Sequence, residues 1–172
     1  MTLTNVETEE IVVRRLRPED LEAVIRVDAK IVGRRRDEYF KVKLKQALAE
    51  TGIQISLAAE LQGSFVGCLL ARVWYGEFGA LEPVAVLDTV GVHPDFKGRG
   101  IGAALIDQLC TNLRALSIPQ LHTQVDWGSL DLIGFFHRLG FNPAPRLCLD
   151  LDLETLTGSR EGASREPRWP AR

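Results

Sequence analysis

A glycine-rich turn between an apolar strand and an amphipathic helix is the feature that most constrains how this chain can fold. The apolar segment 84–92 leads into it, and glycines follow at Gly98, Gly100 and Gly102. Glycine lets a backbone turn tightly and approach a ligand without a side chain in the way. The first N–H groups of the helix that begins here have no partner within that helix. Together with the helix dipole, they form a site for phosphate.

The charges and spacing around this turn narrow the choice of ligand. Lys97 and Arg99 add positive charge at its rim, which suits a cofactor that carries a pyrophosphate. The turn lacks the GxxxxGK[ST] pattern of a nucleoside-triphosphate P-loop. It also differs from the dinucleotide fingerprint GxGxxG, which opens a βαβ unit and has an acid about 20 residues later. The glycines alone leave a structural interpretation open, in which they let a helix pack closely on a sheet.

Hydrophobic periodicity along the rest of the chain predicts an α/β fold. The predicted strands cover 11–15, 53–59, 65–74, 84–92, 121–125 and 147–153, and the predicted helices cover 17–28, 37–50, 98–116 and 130–139. Gln62-Gly63 reads as a tight hairpin turn, and Gly140 reads as a helix C-cap. Because a hairpin precedes alternating strands and helices, we expect a mixed, mostly antiparallel sheet of six to seven strands flanked by helices.

Chain length and composition indicate one globular domain at 1–153 and a polar C-terminal tail at 154–172. The chain has 172 residues, of which 45% are hydrophobic and 26% are charged, an ordinary balance for a protein with a filled core. The formal net charge of -2 gives no reason to expect a nucleic-acid or anionic-membrane partner. No stretch approaches the ~18 apolar residues of a membrane span.

The cysteines and histidines indicate neither disulfides nor a metal. Cys68, Cys110 and Cys148 are odd in number and widely separated, which is typical of thiols in a reducing compartment. The three histidines show no ligand spacing, so we expect no metal site. The N-terminus lacks the basic start and apolar run of a signal peptide. We therefore expect a cytoplasmic protein.

Two motifs in the second half of the chain resemble signatures of the GNAT superfamily. Val92-x-Pro94 followed by Lys97-x-x-Gly100-x-Gly102 resembles its acetyl-CoA signature. The run 135–141, Phe-Phe-His-Arg-Leu-Gly-Phe, resembles its second motif, which ends a helix. The order of predicted elements also matches over roughly residues 10–153. The resemblance implies an acetyl-CoA-dependent N-acetyltransferase that acts on a primary amine of a small molecule or a peptide.

The resemblance also implies which residues contact the cofactor. The backbone of the 84–92 strand would pair with the pantetheine arm, the turn amides would hold the pyrophosphate, and the Val90 amide would polarise the acetyl carbonyl. The implied contacts are Val90, Gly91, Val92, Lys97, Gly98, Arg99, Gly100, Ile101, Gly102, Ala103, Ser129 and Phe136. Ser129 and Phe136 depart from the family pattern, which often has Asn and Tyr there. That Tyr is often assigned as the acid for the CoA thiolate, a role that Phe136 cannot fill.

Asp88 is the leading candidate for the general base. It is the one polar residue in the alternating row 84, 86, 88, 90 and 92, which we expect on one face of the strand. A carboxylate there would accept the proton of the attacking amine or anchor its ammonium form. The other interpretation is an acid bonded to a neighbouring strand or loop. Glu82 and Glu77 are further candidates for the base, and His122 is a candidate acid for the thiolate.

A basic loop and the missing Tyr bear on the acceptor and on alternative functions. The basic loop 34–36, Arg-Arg-Arg, either recognises an acidic acceptor or forms salt links to Asp37 and Glu38. The absence of the usual Tyr keeps a second function open, a non-catalytic acyl-CoA-binding sensor or interaction module. The resemblance is also compatible with a homodimer.

Overall fold

The described part of the chain folds into a single sheet with helices on both faces. The computed structural model describes residues 10–49, 52–75, 81–151 and 153. The strands are β1 Ile11–Arg15, β2 Leu57–Leu61, β3 Ser64–Trp74, β4 Val84–Val92 and β5 Gln120–Thr123. The helices are α1 Leu21–Val32, α2 Asp37–Ala49, α3 Ile101–Ala115 and α4 Leu130–Arg138. No helix within the described ranges is both long and apolar enough to cross a membrane.

Strand order follows chain order, β1-β2-β3-β4-β5. The first four strands pair antiparallel with their neighbours, and β5 pairs parallel with β4. The mixed, mostly antiparallel α/β architecture is therefore confirmed. The hairpin between β2 and β3 turns at Gln62 and Gly63, whose φ angles of 51° and 75° are those of a left-handed two-residue turn.

Each face of the sheet carries its own hydrophobic cluster, because helices cover both sides. On one face α3 and α4 pack through side chains such as Leu105, Leu109 and Phe136. On the other face α1 and α2 pack through side chains such as Ile25 and Phe40. This arrangement explains why β3 is apolar on both of its faces.

The expected count of six to seven strands is wrong for the described residues, which form five. The predicted strand at 147–153 is not formed in its described part. Leu147 and Leu149 are 76% and 88% exposed, so these leucines lie outside both hydrophobic clusters. An alternating sequence creates the two faces of a strand, but a strand also needs a neighbour for its backbone hydrogen bonds. The predicted tail 154–172 and the loop that contains Glu77 lie outside the described residues.

A further difference concerns the second strand, which runs from Leu57 to Leu61 rather than over 53–59. Ile53 and Ile55 still pack into the core on the α3 side. The expected alternation holds at Gln54, which is exposed, and fails at Ser56, which is 1% exposed because its hydroxyl bonds to the backbone of Ala71. Pairing with β1 fixes the strand further along, with Leu57 opposite Arg15 and Leu61 opposite Ile11.

Gly67 in β3 gives a test of this packing. A Cβ at this position would lie 2.9 Å from the carbonyl oxygen of Gly91 and 3.3 Å from Cγ2 of Ile101. We expect Gly67→Ala to lower the free energy of unfolding by about 1–3 kcal/mol, because backbone and a core side chain must both shift. Chemical denaturation measures the change. Gly52→Ala is the control, since a Cβ there has no atom within 4 Å, and an equal loss in both variants would contradict the packing argument.

Candidate functional site

The candidate site begins where β4 and β5 part. These parallel strands are in register from Val84 opposite Gln120 to Leu87 opposite Thr123. Beyond that point β4 continues to Val92 while it still pairs with β3. Within the described residues, the edge of β4 from 88 to 92 that faces away from β3 has no neighbouring strand. Its N–H and C=O groups are available to a ligand that lies along it like an added strand.

A β-bulge lies at the same point of β4. Thr89 pairs with Leu70 and Leu87 pairs with Ala71, so Asp88 is an extra residue with no partner across the ladder. The bulge shifts the alternation of side chains, because Leu87 and Val90 both pack toward the α3 side. The expectation that positions 84, 86, 88, 90 and 92 share one face is therefore wrong. Strict alternation fails wherever one strand carries an extra residue.

Two side-chain interactions hold the parting point. Arg72 in β3 donates to both carboxylate oxygens of Asp88 from one edge of its guanidinium, through Nε to Oδ2 at 2.7 Å and Nη2 to Oδ1 at 3.1 Å. The Thr123 hydroxyl donates to the Leu87 carbonyl oxygen at 3.0 Å. The alternative interpretation of Asp88, an acid bonded to a neighbouring strand, thus describes its contact. Sequence reasoning missed Arg72. The signal available for it was a single cation within a long apolar strand.

The glycine-rich turn follows β4 directly. A 3₁₀ turn at Pro94–Phe96, capped by the His93 ring that accepts from the Asp95 amide at 3.3 Å, leads into it. Gly98 and Gly100 have φ angles of 79° and 80°, which is the left-handed region that favours glycine. The first amide to bond back into the helix is that of Ala104, which donates to Gly100 O at 2.9 Å. The amides before Ala104 thus form the open N-terminus of α3, the element that suits a phosphate.

Gly102 has a different role from Gly98 and Gly100. A Cβ at Gly102 would lie 3.1 Å from Cζ of Phe135 in α4 and 3.8 Å from Cγ2 of Val92. The small residue therefore lets the start of α3 fit between β4 and α4. The structural interpretation of a close helix contact applies to this one glycine, while the positive φ angles explain the other two.

A cavity of about 310 Å³ opens from the parting point toward α1 and α2. Its walls come from β4 around Asp88 to Gly91, from α1 and α2, from the residues after β5 and from Phe136 in α4. Three charged side chains line it: Asp28, Arg36 and Asp88. Its volume is within the range of sites for small molecules. The cavity therefore brings the β4 edge into one space with Asp28 of α1 and with Arg36, which precedes α2.

The other candidate residues lie in varied places relative to this cavity. Glu82 is exposed before β4, and His122 lies in β5 opposite Val86, and neither lines the cavity. Ser129 is half-buried at the N-cap of α4. Phe136 is 4% exposed, with its ring 4.9 Å from that of Phe141. Lys97 and Arg99 are exposed on the glycine-rich turn, as expected for rim cations.

The three arginines of the basic loop do not act as one group. Arg35 bonds to Glu22 at 3.0 Å and to Asp37 at 2.7 Å, outside the cavity. Arg36 bonds to Asp28 and lines the cavity. The interpretation as salt links to Asp37 and Glu38 therefore holds only for Arg35 with Asp37, since Arg36 bonds to Asp28 and Glu38 bonds to Lys41. Sequence reasoning did not assign Asp28 to the site, though an acid in the apolar stripe of α1 was the available signal.

The sequence profile of the Acetyltransferase (GNAT) family matches residues 17–141, which is most of the chain. The matched range runs from the turn before α1 to the residue after Gly140. It thus includes the bulged strand, the glycine-rich turn and the helix that carries Phe136.

Solved structures share the fold. An aminoglycoside N-acetyltransferase in complex with CoA matches with a TM-score of 0.71 at 17% identity, over 84% of this chain and 96% of that one. A ribosomal-protein-alanine N-acetyltransferase from Brucella melitensis biovar Abortus 2308 gives 0.67 at 20% identity, over 83% and 99%. Arabidopsis thaliana Naa50 in complex with a bisubstrate analogue, CoA-Ac-MVNAL, gives 0.60 at 20% identity, over 77% and 83%.

The reactivity of Cys68 tests whether the cavity wall around this thiol is closed to solvent. The thiol lines the cavity but is 3% exposed, and burial, aided by the charge of Asp28, raises its pKa to about 12. At pH 8 only about one thiol in 10⁴ would be the reactive thiolate. We expect iodoacetamide to modify the exposed Cys148 quickly and Cys68 only after denaturation. Peptide mass spectrometry reads both sites, and equal rates in the folded protein would contradict this burial.

Proposed function

The chain belongs to the GNAT acetyltransferase family, and on that premise we propose that it moves an acetyl group from acetyl-CoA to a primary amine of a small molecule or a peptide. The observation that carries this proposal is the unpaired β4 edge, which leads directly into the glycine-rich N-terminus of α3. One ligand with an extended amide-bearing arm and a pyrophosphate can use both. The solved relatives named above, which act on aminoglycosides or on a ribosomal protein, support both kinds of acceptor.

The residues present fit acetyl-CoA, which supplies the acetyl group as a thioester. Backbone groups of Val90, Gly91 and Val92 would hold the pantetheine arm, and the amides from Gly98 to Ala103 would hold the pyrophosphate. Lys97 and Arg99 would add charge at the rim. Ser129 and Phe136 would complete the site from α4. The Val90 amide would donate to the acetyl carbonyl oxygen and stabilise the negative charge that develops there.

The transfer itself needs few groups. The lone pair of the neutral amine attacks the thioester carbonyl carbon, a C–N bond forms, and the C–S bond breaks. The nitrogen loses one proton and the departing CoA sulfur gains one, so an amide and free CoA result. Asp88 would take the amine proton or hold the ammonium before attack, since it is the carboxylate that lines the cavity on β4. Glu82 is the weaker choice because it is exposed outside the cavity.

Phe136 leaves the proton for the CoA sulfur to another source. Its ring lines the cavity but carries no exchangeable proton. His122 does not line the cavity, and we propose water as the donor. The same observation favours the second candidate function, a non-catalytic acyl-CoA-binding module. Binding of acetyl-CoA without transfer to any amine would support that function.

The proposal also covers the extent of the transferase domain and the compartment of the protein. We place the transferase domain at 1–153 and the protein in the cytoplasm, where an exposed thiol such as that of Cys148 stays reduced. No described group of histidine, cysteine and acidic side chains could hold a metal ion, and the reaction as written uses none.

Acetyl-CoA should stabilise the protein against heat. At a ligand concentration of 100 Kd the gain is about 2.7 kcal/mol, which raises Tm by several degrees for a domain of this size. We expect Gly100→Glu to abolish the shift, because it places a negative side chain where the pyrophosphate would bind. Gly63→Glu is the matched control, since its φ of 75° is similar and a Cβ there also meets open space. Loss of the shift in both variants, or in neither, would contradict the proposed cofactor site.

Asp88→Asn tests the base. We expect kcat to fall by about 10²-fold or more, with acetyl-CoA affinity nearly unchanged, because the amide cannot accept the amine proton. The pH dependence of kcat separates this role from simple support of the bulge. Arg72→Gln also breaks the ion pair, but it should keep the acidic limb of the pH profile, whereas Asp88→Asn should lose it. Identical pH profiles in the two variants would remove Asp88 as base.

A further inference from the structure

Arg36 is the one lysine or arginine among the described residues that lines the cavity. It directly precedes α2 and bonds to Asp28 of α1, so it belongs to the helical part of the cavity wall and not to β4. Its side chain is 30% exposed, whereas that of its partner Asp28 is 10% exposed. The guanidinium is thus the accessible member of the pair.

The guanidinium is held in a fixed orientation. Its Nε donates to Asp28 Oδ2 at 2.8 Å, and its Nη2 donates to Asp28 Oδ1 at 2.5 Å. Its Cζ lies 4.7 Å from the ring centre of Tyr39 and 5.3 Å from that of Phe40. The hydrogen bonds to Asp28 raise the pKa of Arg36 above its usual range, so the cation keeps its charge at any working pH.

This arrangement leaves three N–H groups for a ligand. The bonds to Asp28 use the Nε hydrogen and one Nη2 hydrogen, so the second Nη2 hydrogen and both Nη1 hydrogens have no hydrogen-bond partner within the described part of the chain. A guanidinium whose position is already fixed loses little entropy when it binds a carboxylate, and such a bond is charge-assisted. A tie between α1 and α2 alone would not require an ion pair, because burying charges costs about as much as their attraction returns.

The neighbouring arginine, Arg35, differs from Arg36 in its location. Arg35 is bonded by both Glu22 and Asp37, and it lines a separate, open depression between α1 and the β2–β3 hairpin. It does not line the cavity that contains Asp88. Two adjacent residues of the same type therefore differ in the feature that matters, which is contact with the candidate acceptor space.

We propose that Arg36 selects an acceptor that carries a carboxylate in addition to its primary amine. The amine would lie toward Asp88 and the β4 edge, and the carboxylate would lie at Arg36 in the same cavity. This inference rests on the proposed acetyl transfer and adds the substrate class. The class is amino acids, or short peptides with a nearby acidic group, rather than polyamines or other purely cationic amines.

A matched series of acceptors tests the inference. The probes are straight-chain ω-amino acids from glycine to 6-aminohexanoate, each compared with its own carboxamide, with acetyl-CoA as donor and release of free CoA as the readout. We expect the wild-type protein to use the best acid at least about tenfold better than its amide in kcat/KM, mainly through a lower KM. The chain length at the optimum then measures the span from Arg36 to the acetyl group.

Variants at Arg36 and Arg35 test whether the preference for acid over amide depends on Arg36. Arg36→Gln should reduce the preference for acid over amide to about threefold or less. Arg36→Lys, which retains an ion pair to Asp28 and guards against misfolding, should reduce it as well because the planar fork is lost. Arg35→Gln should keep the preference. Circular dichroism and the shift in Tm with acetyl-CoA report whether each variant is folded with an intact donor site.

The outcomes separate this inference from the transferase proposal. Equal use of acids and amides by the wild-type protein would overturn the inference and leave acetyl transfer standing. A preference that survives in both Arg36 variants would also overturn it. Failure to acetylate any acid in the series would overturn it too. In that case the shift in Tm with acetyl-CoA would still show whether the donor site binds its cofactor.

Discussion

The parting of two parallel strands, β4 and β5, is the constraint on which the rest of the site depends. β5 is paired for only four residues, up to Thr123, while β4 continues for five more. The bulge at Asp88, the bond from Thr123 to the Leu87 carbonyl and the ion pair with Arg72 all lie at that point. Because the bulge and two side-chain interactions fix this point, the free backbone edge is a feature of the fold and not of a mobile loop. The cavity and the glycine-rich turn take their positions from it.

Electrostatics in the cavity follow one pattern, a carboxylate held by an arginine. Asp28 binds Arg36 and Asp88 binds Arg72, with the acids 10% and 15% exposed. A buried charge is costly unless it is paired and hydrogen-bonded. The pairs make it feasible to keep acids in an apolar site, and they also fix where each charge points. The cavity of about 310 Å³ thus contains both a candidate proton acceptor, Asp88, and a candidate anion-binding group, Arg36.

Much of this architecture is readable from sequence, and the failures have identifiable causes. The glycine-rich turn, the hairpin at Gly63 and the C-cap at Gly140, whose φ is 90°, are local features that a few residues determine. The bulge at Asp88 could not be predicted from the sequence, because it depends on how β4 pairs with β3 in register. The ion pair with Arg72 joins residues 16 apart, a pairing that no local pattern shows. The strand expected at 147–153 failed because alternation does not supply a neighbouring strand.

Hydrogen–deuterium exchange with and without acetyl-CoA reads the backbone amides that are proposed to hold the cofactor. Saturating acetyl-CoA should slow exchange in peptides that cover residues 88–103, the open β4 edge and the start of α3. Peptides from β1 and β2 should exchange as before. Unchanged exchange over 88–103 in protein that has bound acetyl-CoA would contradict the account, because the cofactor would then lie elsewhere.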